Sequence, residues 1–376
     1  MHIVDTTLFF APHSGGVKRY LCAKRRYLHS TPGVRHTLLV PGARVTNHAG
    51  LIEFAAPRIP FGGGYRMPLG TSRWRDALCE LAPDLIEAGD PYQGAWATVA
   101  ATRRLGVPAV AFAHSDLASL VASRFGAAAG MATRAYLQRL YARFDLVLAP
   151  SRVVAAHLQS LGVARVEIRP LGVDATVFHP DARDGALRTE LGLAPSTRLL
   201  IYAGRLAREK RIALMRRAVE GLGPRYHLLL VGGDVRRRVS PQVTVLPYEQ
   251  ETRRLARLFA SCDALLHAGP QETFGLVVLE AMACGVPVVG VDSGAVAELV
   301  DAEVGRLAEP DRVDALQHAI RSLYADDREL MAVRARARVE NAYTWERTLG
   351  AQLQRYARLR GPAPSTPVVL HSCAPP

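Results

Sequence analysis

The chain has 376 residues, 49% of them hydrophobic, and a formal charge of +13 from 47 Lys and Arg against 34 Asp and Glu. That length suits two domains of roughly 150–200 residues each, and no apolar run reaches the roughly 18–20 residues of a membrane span. The basic balance suits anionic lipid surfaces, phosphorylated substrates or plain solubilising charge, whereas no zinc-finger spacing or RNP-like motif supports nucleic acid. The N-terminus, Met1-His2-Ile3-Val4-Asp5, goes straight into a strand and carries none of the parts of a signal peptide. The cysteines Cys22, Cys79, Cys262, Cys284 and Cys373 form no CxxC pair, which predicts a reducing cytoplasm and no structural zinc.

In chain order, a first strand is predicted over His2–Phe9. Gly15-Gly16-Val17 then opens a helix to about His29. Strands over His36–Val40 and Leu51–Ala56 follow, with a flexible loop at Gly62-Gly63-Gly64. A helix over Thr71–Leu81 leads past Pro83 to a strand over Asp84–Ala88. A helix over Ala95–Leu105 leads through Gly106-Val107-Pro108 to a strand over Ala109–His114. A strand over Phe144–Leu148 ends at Pro150-Ser151-Arg152, where a helix begins, and Val166–Pro170 closes the first half.

The second half repeats the style. Strands over Leu199–Ala203, His227–Val231, Val243–Leu246, Ala264–Ala268 and Val288–Val291 each run into a glycine, proline or charged turn. Helices over 311–324, 328–342 and 345–358 finish the chain. The boundary falls near Leu171-Gly172-Val173-Asp174, giving domains 1–172 and 173–360, with the last helices able to pack back on the first domain. A tail over 361–376, rich in Pro, Ser and Ala, is expected to be disordered. Short apolar strands alternating with helices predict an α/β fold of parallel sheets, whose ligands bind at the strand carboxyl ends.

Several motifs fall at those ends. Gly15-Gly16-Val17 lets backbone amides approach a phosphate or sugar. Arg205 and Lys210, after the Leu199–Ala203 strand, can converge on a diphosphate if their loop folds back. His114 can hydrogen-bond a sugar hydroxyl or steady a forming charge. Asp116 follows it, and Arg152 can reach an anionic acceptor, although a plain helix cap at Ser151 explains that turn equally well. Glu272 and Glu280 flank the start of an apolar helix, where a charge needs a partner or a ligand. The helix N-terminus between them suits phosphate. A nucleotide sugar has the matching layout of hexose, diphosphate and ribose.

With Gly15-Gly16-Val17, His114, Ala149-Pro150-Ser151, Pro170-Leu171-Gly172-Val173-Asp174, Gly204-Arg205 with Lys210, and Glu272 with Glu280, the chain resembles retaining glycosyltransferases of family 4 over residues 1–358. The resemblance implies a GT-B fold: two Rossmann-like, doubly wound domains facing a cleft, the second holding a nucleotide diphosphate sugar. It implies that Glu280 binds the ribose hydroxyls and Glu272 the donor hexose. Arg205 and Lys210 would neutralise the leaving diphosphate, and the amides around Phe274, Gly275 and Leu276 would line phosphates and sugar. Gly16 would close over the diphosphate, His114 would contact the sugar, and Pro247 and Tyr248 would edge the base. No metal or cofactor is implied.

The opening Met1–Tyr20 and the glycine loop before Tyr65-Arg66 look most like bacterial GDP-mannose-dependent α-mannosyltransferases. The expected enzyme is cytoplasmic and acts on a lipid or polysaccharide precursor at the inner membrane face. Lys18, Arg19, Lys24, Arg25 and Arg26 would form its membrane-facing patch. The alternatives are a UDP-sugar donor, such as UDP-glucose or UDP-sulfoquinovose, or a non-catalytic binding or scaffold protein of the same fold.

Overall fold

The computed structural model describes residues 1–11, 15–59 and 64–361. Gly62 and Gly63 of the expected loop and residues 362–376 of the expected tail lie outside the described residues. The first half runs β1 (His2–Thr6), α1 (Gly16–His29), β2 (Arg35–Gly42), β3 (Thr46–His48), β4 (Leu51–Ala55), α2 (Ser72–Glu80), β5 (Leu85–Ala88), α3 (Gln93–Leu105), β6 (Ala109–Phe112), α4 (Leu117–Phe125), α5 (Ala127–Tyr141), β7 (Leu146–Ala149), α6 (Arg152–Ser160) and β8 (Val166–Ile168). Its sheet has the order β3-β4-β2-β1-β5-β6-β7-β8, parallel except for the β3 edge.

The second half runs α7 (Leu187–Glu190), β9 (Arg198–Ala203), α8 (Ile212–Glu220), β10 (Tyr226–Gly233), β11 (Arg237–Ser240), β12 (Val243–Pro247), α9 (Thr252–Ala260), β13 (Ala264–His267), α10 (Leu276–Ala283), β14 (Val288–Val291), α11 (Val296–Leu299), β15 (Gly305–Ala308), α12 (Val313–Ala325), α13 (Arg328–Ala342) and α14 (Trp345–Arg360). Its sheet order is β11-β12-β10-β9-β13-β14-β15, again parallel except at one edge, β11. These are two doubly wound, Rossmann-like α/β units. Their central strands are continuous apolar runs because helices cover both faces: Leu199, Leu200 and Ile201 of β9 are wholly buried. The strand after α3 stops at Phe112, short of His114, and α4 and α5 fill the stretch before β7.

The two halves are joined by more than one covalent link. Val173 leaves the first half beside the returning chain, its amide donating to Tyr343 O at 2.8 Å and its carbonyl accepting from Trp345 N at 3.3 Å. From there α14 lies back on the first sheet, where Arg355 pairs with Glu167 at 2.6 Å and Arg360 with Asp84 at 3.0 Å. Gln352 and Tyr356 both hydrogen-bond to the buried Glu87.

That burial removes Lys24 from the expected membrane patch. Lys24 is 1% exposed, its Nζ 2.8 Å from Asp5 and 2.9 Å from Glu87. It serves as the internal cation for two carboxylates on β1 and β5 and faces no surface. Arg19 is engaged with Glu280 across the cleft, while Lys18, Arg25 and Arg26 line an open cavity, Arg26 itself exposed. Among the described residues no helix is long and apolar enough to cross a membrane.

Candidate active site

Each sheet reverses direction at its first strand, with β1 between β2 and β5 and β9 between β10 and β13. Such switch points open a crevice at the strand carboxyl ends. Gly15-Gly16 follows β1, Gly204-Arg205 follows β9, and His267 ends β13. Gly232, at the end of β10, has φ +148, and a Cβ there would lie 1.9 Å from Gly204 O, so the two strand ends meet only without a side chain.

The centre of the site is the start of α10. Gly275 caps it at φ +88, and Phe274 turns its ring into the core against Tyr343, with centroids 6.4 Å apart. The first-turn amides of a helix have no intrahelical acceptor and carry the positive end of its dipole. Glu272 stands just before this turn. Its Oε2 accepts from Lys210 Nζ at 2.6 Å and lies 3.2 Å from His267 Nε2. Burial pushes the carboxyl up, but the His267 hydrogen bond and the Lys210 charge more than offset this and hold its pKa at about 2. Glu272 is therefore an ionised acceptor fixed from two sides.

Glu280 sits within α10 and is buried among apolar neighbours. One oxygen, Oε1, accepts from the Arg19 guanidinium of α1. The other, Oε2, is buried with no hydrogen-bond partner among the described residues. Burial raises the Glu280 pKa and Arg19 counters it. Glu280 lines a cavity of about 710 Å³ together with Tyr248, Gln250, Leu276, Lys18 and Arg19. Tyr248 is anchored by its amide, which donates to Gly233 O at 2.9 Å. Pro247 ends β12 and is exposed.

The first half closes onto this site at three further points. A Cβ on Gly16 would come within 3.2 Å of Leu276 Cδ1, so the starts of α1 and α10 abut. Thr273 Oγ1 donates to His114 O at 3.1 Å. Glu298 caps α6 from the opposite half, its carboxylate accepting from Arg152 N at 2.8 Å and Val153 N at 2.7 Å. The His114 ring stacks on Phe112 with centroids 4.2 Å apart. Burial, and then the nearby Lys24 charge, lower its pKa to about 3. The imidazole is therefore neutral near pH 7, able to hydrogen-bond but not to supply a charge.

Some expected partners are not brought together. The Arg205 side chain is 74% exposed and pairs with Glu209 at 3.3 Å, while Lys210 pairs with Glu272. Asp116 caps α4 through Ser119 N at 3.0 Å, and Ser151 caps α6 through Val154 N at 3.3 Å. Arg152 meets the other half through its backbone amide. His267 and Glu298 were not singled out from the sequence, and Arg19 only as surface charge. A lone histidine inside an apolar strand gives no signal of its own, and contacts across a cleft leave no local pattern. Among the described residues no group of three or more His, Cys, Asp or Glu is placed to hold a metal ion.

Comparison with known proteins agrees with this architecture. The model for glycosyltransferase family 4 matches residues 14–177 and that for glycosyl transferases group 1 matches residues 185–343. The chain is 30% identical over 372 residues to a GDP-mannose-dependent α-(1-6)-phosphatidylinositol dimannoside mannosyltransferase of Mycobacterium tuberculosis, covering 94% of this chain and 95% of the relative. It is 36% identical over 291 residues to a GDP-mannose-dependent α-mannosyltransferase of Mycolicibacterium smegmatis, covering 75% and 76%. In fold it is similar to sucrose-phosphate synthase from Thermosynechococcus elongatus, with a TM-score of 0.81 at 20% identity, covering 96% of this chain and 99% of that one. Two family models in succession, a near full-length relative and two facing Rossmann-like units lead to one conclusion: the chain is a hexosyltransferase of the GT-B fold and belongs to glycosyltransferase family 4.

Proposed function

We propose that the protein transfers mannose from GDP-mannose, with retention, to a lipid or polysaccharide-precursor acceptor, working as a peripheral enzyme at the cytoplasmic face of a membrane. The observation that carries the donor site is the placing of two carboxylates, Glu272 partly buried and Glu280 buried, on either side of one helix N-terminus, with Glu280 on the cavity and Glu272 held by Lys210 and His267. Glu280 accepts the ribose hydroxyls, with Pro247 and Tyr248 edging the base. The amides of Phe274, Gly275 and Leu276 and those at Gly15 and Gly16 receive the diphosphate. Glu272 accepts from the hexose hydroxyls, and neutral His114 contacts the sugar from the opposite side. Asp116 and Arg152 lie on the acceptor side.

Transfer breaks the bond between the sugar's anomeric carbon and the diphosphate, so negative charge builds on the leaving oxygen. Lys210 and the start of α10 stabilise that charge, and Arg205 leaves Glu209 to join them. Positioning and leaving-group stabilisation supply the rate; the acceptor hydroxyl attacks from the face that the diphosphate vacates and gives its proton to the departing phosphate oxygen. The GDP-mannose choice is supported by the donor named for the two mycobacterial relatives.

Glu272→Gln and Lys210→Ala should each lower kcat by about 100- to 1,000-fold while leaving the chain folded. A panel of nucleotide sugars and nucleotides, read by transfer and thermal shift, tests the donor. GDP should stabilise the protein more than UDP, and the reverse order would replace mannose by a UDP-linked sugar. Unchanged turnover in both variants would remove the mechanism.

A further inference from the structure

Arg19 has no part in the transfer just described, yet it makes the most conspicuous contact across the cleft. It lies on the first turn of α1, just beyond Gly16, and its guanidinium donates to Glu280 Oε1. The Arg19 side chain is 33% exposed and that of Glu280 only 4%, so the arginine reaches in from the cavity toward a buried acceptor. The second oxygen of Glu280 is buried and unpartnered among the described residues. A buried carboxylate oxygen without a donor is costly, which marks Glu280 as built to receive one.

Resting on the assignment of Glu280 to the ribose, a conflict arises. Two neighbouring hydroxyls call for both carboxylate oxygens, and Arg19 occupies one of them. Less than a turn back along α1, Gly16 abuts Leu276, where the diphosphate is placed. One helical turn is about 5.4 Å, a distance an arginine side chain spans by changing rotamer. A guanidinium fork matches phosphate oxygens as well as it matches a carboxylate.

We propose that Arg19 is an ionic placeholder that neutralises Glu280 while the nucleotide site is empty, then yields it to the ribose and turns to the donor diphosphate. The carboxylate thus always has a hydrogen-bond donor, Arg19 or the ribose hydroxyls, and the phosphates gain a cation from the opposite half as they arrive. Arg19 is a specificity residue for a diphosphate over a bare nucleoside.

Calorimetric titration of the full chain tests this, using guanosine and GDP, with uridine and UDP as a second pair. Arg19→Ala should bind the nucleoside at least as tightly as the unmodified protein and the diphosphate about 10- to 100-fold more weakly. Arg19→Lys should recover part of the diphosphate affinity. Thermal unfolding of both variants shows whether they are folded. Equal losses for nucleoside and diphosphate would make Arg19 a mere support for Glu280 and overturn the proposal, as would an unchanged diphosphate affinity. Failure of the unmodified protein to bind either diphosphate would instead overturn the donor-site assignment on which the proposal rests.

Discussion

Glu272 and Glu280 carry the same functional group in different surroundings. Glu272 shares one oxygen between Lys210 and His267, and its pKa is held at about 2, below the ordinary 4.5. A carboxyl whose folded pKa is depressed stabilises the fold above its unfolded value, and that stability is lost as pH falls through the folded value. Denaturant midpoints should therefore drop between pH 5 and pH 3 in the unmodified protein. The drop should be smaller in Glu272→Gln, where nothing titrates at that position; parallel acid profiles would remove the account. Glu272 and Glu280 stood out in the sequence because they flank the start of an otherwise apolar helix, where a charge needs a partner, and Lys210 because it follows Gly204-Arg205 at a strand end. His267 was not legible, because its whole role depends on a 3.2 Å approach from a neighbouring loop.

Elements buried on both faces were the easiest to read. β9, β10, β13 and β14 are each built around a short run of Leu, Ile, Val or Ala, and the structure places them close to the predicted bounds. The short polar edges β3 and β11 lack such a run, and the alanine-rich α4 and α5 expose much of their surface, so neither pair announced itself. Contacts between elements of different halves were the least legible. The start of α6 takes its cap from Glu298, next to the end of α11, as well as from its own Ser151. Glu298→Ala should cost about 1 kcal/mol in unfolding free energy through two orphaned amides at a helix N-terminus. It should also raise KM for the acceptor or donor by loosening the closed cleft. Unchanged KM with the stability loss present would make this contact a cap and nothing more.

At the scale of the whole molecule, Lys24 ties β1, β5, α1 and α14 into one buried cluster through Asp5, Glu87 and Tyr356. Lys24→Met would leave two carboxylates buried without their cation and should destabilise the protein by about 3–5 kcal/mol in denaturant unfolding. A loss below 1 kcal/mol would show that the carboxylates protonate at little cost. Because α14 closes this cluster, the last described helix belongs physically to the first sheet, although it follows the second in sequence. The chain accordingly passes between the halves twice, at Gly172–Val173 and Thr344–Trp345, and the two passages lie bonded side by side. A Cβ on Gly172 would press to 2.8 Å from Trp345 N, so the two are in contact without slack. Paired passages of this kind act as a book's spine: they allow the covers to open about one line but resist sliding and twisting. Gly16 against Leu276 and Glu298 on α6 are thereby held in one register across the cleft.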